Sequence, residues 1–270
     1  MTTDVEIICI GNELLIGKIE NTNANWLVNQ ITALSANVKR ITVIQDIVDE
    51  IANCIQEVGS RKPKFIITTG GLGPTFDDKT LQSLAKALNQ KLVVNPEALE
   101  FVKQRTIQYY KKRGLPPEDD IMTPPRVKMA MLPEKTDFVI NPIGTAPAVR
   151  AKIGESVLFT LPGVPMEMKA IFIDTIMPMI KQAVGSDIFC QLSIFADMGE
   201  SCLAPLIETV MRDNGGIYVK SHPLNVEGKP QVELHLTITA YKEHQPAETL
   251  KKAAEQLGKL IVDCGGKVHF

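Results

Sequence analysis

The sequence predicts an α/β protein: a doubly wound, mostly parallel sheet followed by a second, smaller α+β domain. Three observations carry that prediction. Short apolar runs of strand length alternate with amphipathic stretches of helical spacing up to about residue 180, the signature of βαβ crossovers. A chain of 270 residues is long for one compact domain and comfortable for a large domain plus a small one. The pattern changes character near residues 183–187, which divides the chain into domains 1–185 and 186–270.

The elements follow in order. Val5 to Ile10 is an apolar strand interrupted only by Glu6, and Asn21 to Leu34 opens on capping residues and repeats Trp26, Leu27, Ile31 and Leu34 at helical spacing. Val38 to Ile44 reads as a strand, and Ile47 to Val58 as a helix with Ile51, Ile55 and Val58 on one face. Phe65 to Thr69 is a third strand, bounded by Pro63 and by Gly70-Gly71, with a helix from about Asp78 to Leu88 behind it. Helical spacing returns at Pro96 to Lys112 and Pro165 to Ile180. Between them lie a Pro-rich stretch and strands at Pro147 to Ile153 and Ser156 to Leu161. Beyond the boundary the order is strand (Phe189 to Phe195), helix (Glu200 to Met211), strand (Ile217 to Lys220), strand (Gln231 to Ala240) and helix (Ala247 to Val262). No GxxG clamp joins two helices there, so the RNA-binding device of KH modules is not expected.

Bulk properties narrow the function. A formal charge of −2 and a pI near 6.1 do not suit a surface built for nucleic-acid backbones or acidic membranes. The five cysteines, Cys9, Cys54, Cys190, Cys202 and Cys264, form no CxxC pair and read as reduced thiols. With no signal-type N-terminus and no long apolar run, a cytoplasmic location without membrane attachment is expected. All four histidines (His222, His235, His244, His269) lie in the last 50 residues. A site in the first domain must therefore work with Asp, Glu, Asn, Thr and backbone groups.

The strongest local signal is Ile66 to Asp78, ITTGGLGPTFDD preceded by Ile66: a strand ends, three glycines turn the chain and two aspartates follow. Glycines at such a turn accept positive φ and let backbone N–H groups face an anion. It is neither a Walker A loop, since no Gly-Lys-Ser/Thr follows, nor a dinucleotide fingerprint, since Phe76 stands at the third glycine. Helix capping explains one of Asp77 and Asp78 more easily than both. A carboxylate pair beside a phosphate calls for a cation between them. Glu13 follows the first strand, Asp46 the second and Asp78 the third, so a parallel topology brings all three to the edge where α/β sheets bind ligands. Asp46 is also a good helix cap. Asn21-Thr22-Asn23 is either a cap or a ligand contact at the same edge. The turns Asn141 to Pro147 and Leu161 to Pro165, with Glu167 and Lys169 just beyond, are either stiff connectors or a preshaped pocket wall.

Four ordered blocks resemble the CinA-type proteins of the MoaB/MogA molybdopterin-binding-like superfamily: Gly11 to Leu27, Ile67 to Asp78, Met131 to Pro147 and Leu161 to Phe172. The small domain is similar to the second, KH-type domain of CinA proteins at Glu200 to Glu208 and Val219 to Pro223. The resemblance implies a three-layer α/β domain and a small-molecule partner that is a nucleotide or pterin phosphate. It implies metal- and potassium-dependent pyrophosphatase activity on ADP-ribose, FAD hydrolysis in a related domain, or adenylylation and insertion chemistry on molybdopterin. Asn12 and Phe76 depart from the common pattern, and the sequence stops at Phe270 without a nicotinamide mononucleotide deamidase domain, so deamidase activity is not expected. A homodimer is expected by the same resemblance.

The leading expectation is therefore an ADP-ribose pyrophosphatase-type hydrolase of nucleotide diphosphates. Asp78, Asp46 and Glu13 would be catalytic, and Asp78, Glu13 and Asp77 would hold a divalent metal. Gly70, Gly71, Gly73, Pro74, Thr75, Asn23, Gly144, Thr145, Pro162, Gly163 and Lys169 would bind substrate. Oxygen ligands without histidine favour Mg²⁺ or Mn²⁺. The family keeps Co²⁺, Ni²⁺ and a supporting K⁺ open. The alternatives are a molybdopterin-binding protein of molybdenum cofactor biosynthesis, with molybdopterin as the ligand, and a non-catalytic interaction module.

Overall fold

In the computed structural model, described at residues 3–115, 121–224, 231–241 and 245–269, the chain forms two compact units, Met1–Ala183 and Val184–Phe270. The first unit holds strands β1 (Asp4–Ile10), β2 (Asn37–Ile44), β3 (Phe65–Thr69), β4 (Leu92–Val94), β5 (Met131–Pro133), β6 (Asp137–Val139), β7 (Ala148–Ile153) and β8 (Ser156–Leu161). Its helices are α1 (Asn12–Leu15), α2 (Thr22–Ala33), α3 (Val48–Ser60), α4 (Thr80–Ala87), α5 (Pro96–Arg113), α6 (Pro124–Met129), α7 (Pro165–Ile171) and α8 (Met177–Val184).

Six strands form one sheet in the order β2-β1-β3-β8-β7-β6. The first four run parallel, and the hairpin of β7 and β8, turning at Gly154, adds an antiparallel edge continued by β6. Alternate strand residues face opposite sides, so each side needs its own helical cover. Ile8, Ile10, Ile66 and Leu158 join a core with Ile51, Ile55 and Leu84 from α3 and α4. On the other side Ile7, Ile67 and Phe159 are fully buried with Leu27 of α2 and Met168 of α7, and Trp26 meets Phe172 edge to face at 5.4 Å. The result is three layers, helix on sheet on helix.

Differences from the sequence reading have local causes. The pattern from Pro165 to Ile180 is not one α-helix: a π-helical turn, Phe172–Ile176, separates α7 from α8. Pro178 has no N–H and its ring crowds the carbonyl four residues back, at Asp174, which the wider turn accommodates. The short strands β4, β5 and β6 were missed because three-residue pairings carry no readable period.

The second unit runs β9 (Asp187–Ala196), α9 (Glu200–Asp213), β10 (Ile217–Leu224), β11 (Gln231–Tyr241), α10 (Pro246–Asp263) and β12 (Val268–His269). All its described pairings are antiparallel, in the order β10-β11-β9-β12. This is a split βαβ arrangement, with Ile194, Leu234, Leu203, Val210, Leu250 and Leu257 in a core of its own. Strands β10 and β11 lie between α9 and α10 in the chain. Among the described residues no helix is long and apolar enough to cross a membrane.

Candidate ligand-binding site

A cavity of about 740 Å³ opens along the carboxyl edge of the parallel strands. It runs from Asp46, after β2, to Thr145, just before β7; because β7 is antiparallel, its start lies at the same edge as the ends of β1, β3 and β8. From β2 to β7 is four strand spacings, or about 19 Å.

One end of the cavity is built by the turns after β1, β2 and β3. Gly70 has φ +114°, and a Cβ there would stand 2.1 Å from the carbonyl oxygen of Ile10, so only glycine lets β1 and β3 approach so closely. Gly71 follows, also in the left-handed region. The base of the loop is closed by Thr80, whose hydroxyl donates to the Gly70 carbonyl at 2.8 Å and whose N–H donates to the Gly71 carbonyl at 3.2 Å. Among the described residues no acceptor takes the backbone N–H groups of Gly71, Leu72 or Gly73. Successive N–H groups beside left-handed residues form a concave anion site.

Neither Asp77 nor Asp78 caps the following helix, which removes the capping alternative for this pair. α4 starts two residues later, at Thr80, with Lys79 at its cap and no side-chain cap bond. Instead Asp78 closes the turn on itself: its Oδ2 accepts from the Thr75 N–H at 2.8 Å and lies 2.6 Å from the Thr75 hydroxyl, which also reaches Asp77. Lys128 of α6 donates to the Thr75 carbonyl and so pins the loop tip. The Thr75 hydroxyl bond first, then a bond from its own backbone N–H and the nearby charges of Lys128 and Lys79, hold the Asp77 carboxyl below its usual range.

Asp46 does not cap α3, the helix that follows it. α3 has Ile47 at its cap with no side-chain bond, and Asp46 Oδ2 accepts from the Asn12 N–H at 2.9 Å, fastening the start of α1. Burial raises the Asp46 carboxyl above its usual range. The Asn12 bond opposes this, and the charges of Glu13, Asp77 and Asp78 add to it. Glu13, Asp46, Asp77 and Asp78 all line the cavity. Among the described residues none forms an ion pair, and no three His, Cys, Asp or Glu side chains converge into a metal cluster.

The opposite end is built by β8, α7, α5 and α6. Pro162, Gly163 and Thr145 line the wall. So do residues the sequence reading did not assign: Glu167, Thr106, Tyr109, Thr123, Arg126 and Met129. Burial raises the Glu167 carboxyl, opposed by a hydrogen bond from Asn141 and by the charge of Arg105. Glu167 had a sequence signal, its place in the first turn of a helix after a strand-ending Pro-Gly; Tyr109 and Arg126, mid-helix, had none.

Four assigned residues stand elsewhere. Lys169 lies 5.5 Å from the Trp26 ring centre and is not in the cavity wall: two residues past Glu167 is a rotation of about 200°, the far side of α7. Gly144 sits behind the wall against Glu167, and Thr75 acts through the loop. Asn23 lines a smaller adjoining pocket of about 150 Å³, where its amide nitrogen donates to Gly163 O at 2.8 Å and Thr69 Oγ1 at 3.3 Å, tying α2 to the ends of β3 and β8.

Comparison with known proteins agrees with this architecture. Residues 6–182 match the family described as probable molybdopterin binding domain. A protein of Aeropyrum pernix is 39% identical over 267 residues, covering 97% of this chain and 95% of its own. One from Pyrobaculum arsenaticum is 40% identical over 258 residues, covering 94% and 93%. The crystal structure of the protein CinA, of unknown function, from Thermoplasma acidophilum superposes with a TM-score of 0.57 at 35% identity, covering 66% of this chain and 98% of that one.

Proposed function

The chain is a CinA-type member of the probable molybdopterin binding domain family, and from that footing we propose that the cavity binds a phosphorylated heterocycle of the molybdopterin class. One observation carries this reading: a cavity of about 740 Å³ joins a glycine loop whose N–H groups have no acceptor among the described residues to a wall bearing Tyr109 and Glu167. The loop Gly70–Gly73 suits a phosphate, and the wall suits a planar ring. The test is calorimetric titration of molybdopterin into the purified protein and into Gly71→Val. One-to-one binding lost in the variant supports the reading; equal heat from both proteins contradicts it.

A second reading, hydrolysis of a nucleotide diphosphate such as ADP-ribose, is favoured by the carboxylates Glu13, Asp46, Asp77 and Asp78 along the phosphate end. Their donor set is all hard oxygen, which fits Mg²⁺ or Mn²⁺ and tolerates Co²⁺ or Ni²⁺. The like charges that raise Asp46 are those a cation relieves. A cation there neutralises diphosphate charge, with the ligand's own oxygens completing its shell. AMP release from ADP-ribose with each metal, with and without K⁺, tests this reading: metal-dependent release lost in Asp46→Asn supports it, and no release under any metal removes it.

A further inference from the structure

The ring end of the cavity contains a half-buried carboxylate oriented by a fully buried amide. Glu167 Oε2 accepts from Asn141 Nδ2 at 2.7 Å. Asn141 is fully buried and itself locked: its amide donates to Ala146 O at 2.8 Å, and its Oδ1 accepts from Gly144 N at 2.8 Å and Ile143 N at 3.2 Å. Arg105 of α5 donates to the Asn141 carbonyl at 2.6 Å, joining this turn to α5. Gly144 leaves the room the carboxylate occupies, since a Cβ there would lie 2.1 Å from the Glu167 carboxyl carbon. Asn141 uses one of about four lone-pair positions on the carboxylate, which keeps acceptor capacity on a side chain that lines the cavity.

Tyr109 stands one turn beyond Arg105 on the same helix and lines the same cavity, 48% exposed. It is braced by its neighbours. The Arg113 guanidinium lies 4.7 Å from its ring centre, and the Tyr110 ring stands perpendicular at 5.9 Å, itself held by a 3.0 Å bond from Arg126. A tyrosine so braced offers a preorganised surface for a flat ring.

We propose that Glu167 and Tyr109 form a ring-recognition subsite for a 2-amino-4-oxopyrimidine edge, the donor pair shared by pterins and guanine. The carboxylate accepts the adjacent ring N–H and amino N–H, and the tyrosine stacks on the ring. Adenine sets an acceptor nitrogen beside its amino group, so the same carboxylate meets a lone pair and rejects it. The assignment rests on the reading of the cavity as a site for a phosphorylated heterocycle, and it favours the pterin class over adenine nucleotides.

The test is calorimetric titration of GDP, IDP (which lacks the amino group), ADP and neopterin phosphate, in Mg²⁺, into wild type, Glu167→Gln and Tyr109→Ala. Wild type is expected to bind GDP about tenfold more tightly than IDP or ADP, and Glu167→Gln to bring the three within about twofold of one another. Tyr109→Ala is expected to weaken GDP and IDP alike with their ratio kept. Urea midpoints of the variants separate lost recognition from lost folding. Equal wild-type affinity for GDP, IDP and ADP, or a GDP preference that survives Glu167→Gln, overturns the subsite and leaves the phosphate-end reading standing. Binding of none of the four ligands overturns both.

Discussion

The two ends of β1 treat acidic side chains in opposite ways. Near its amino end, Glu6 is almost fully buried, its side chain 4% exposed, and Arg61 just past α3 grips it with two bonds, Nε to Oε1 at 2.9 Å and Nη2 to Oε2 at 2.6 Å. Arg61 also pairs with the exposed Glu57 at 2.7 Å, so both of these carboxylates share one contact cation. At the carboxyl end four acids, Glu13, Asp46, Asp77 and Asp78, line one cavity, and among the described residues none has an ion pair. The acid at the amino end is paired in contact, whereas those at the carboxyl edge have only the more distant charges of Lys128 and Lys79, which leaves room for a cation or a ligand's donors.

Breaking that contrast gives the largest expected effect. Arg61→Ala leaves Glu6 buried without its partner and is expected to cost about 4 kcal/mol by urea denaturation. Replacing both, Glu6→Leu with Arg61→Met, should recover most of that loss, since an apolar pair of similar volume does not need the bond. Full stability of Arg61→Ala alone would erase the distinction between the two ends. Gly70→Ala is expected to cost about 3 kcal/mol, because it combines a φ of +114° with a Cβ 2.1 Å from a backbone oxygen. It should abolish ligand heat as well, by displacing the loop.

Asp46→Asn probes the other end and should change stability by no more than about 0.5 kcal/mol. The amide oxygen can still accept from Asn12, and a half-buried like charge is removed. The smallest effect is expected at Glu167, whose folded carboxyl is raised by burial. Its contribution to stability is full below the ordinary carboxylate range and is lost as pH rises through the raised value. Glu167→Gln should therefore equal wild type in acid and become slightly the more stable toward neutral pH. The reverse trend would mean the carboxylate is held by charge rather than merely tolerated.

The sheet was legible because its strands are long, apolar and punctuated by Gly and Pro; β3 and β8 were bounded to the residue. The glycine loop was legible too, since a strand followed by Gly-Gly-x-Gly has few other uses. Two features were not. Capping was an open alternative for Asp46 and for one of Asp77 and Asp78, but their bonds run to Asn12 and Thr75, and propensity cannot tell a cap from a turn closed on itself. The ring wall comes from α5 and α6: Tyr109 read as an ordinary helix-surface residue and Arg126 as part of a Pro-rich stretch, and only tertiary packing brings the two to one cavity.

The most direct measurement is a crystal structure of the protein soaked with neopterin phosphate. The expected result places the phosphate oxygens within hydrogen-bond distance of the Gly71, Leu72 and Gly73 N–H groups, with the ring toward Tyr109 and Glu167. A ligand bound with its phosphate away from that loop, or outside the cavity, would contradict the assignment of the carboxyl edge as the binding site.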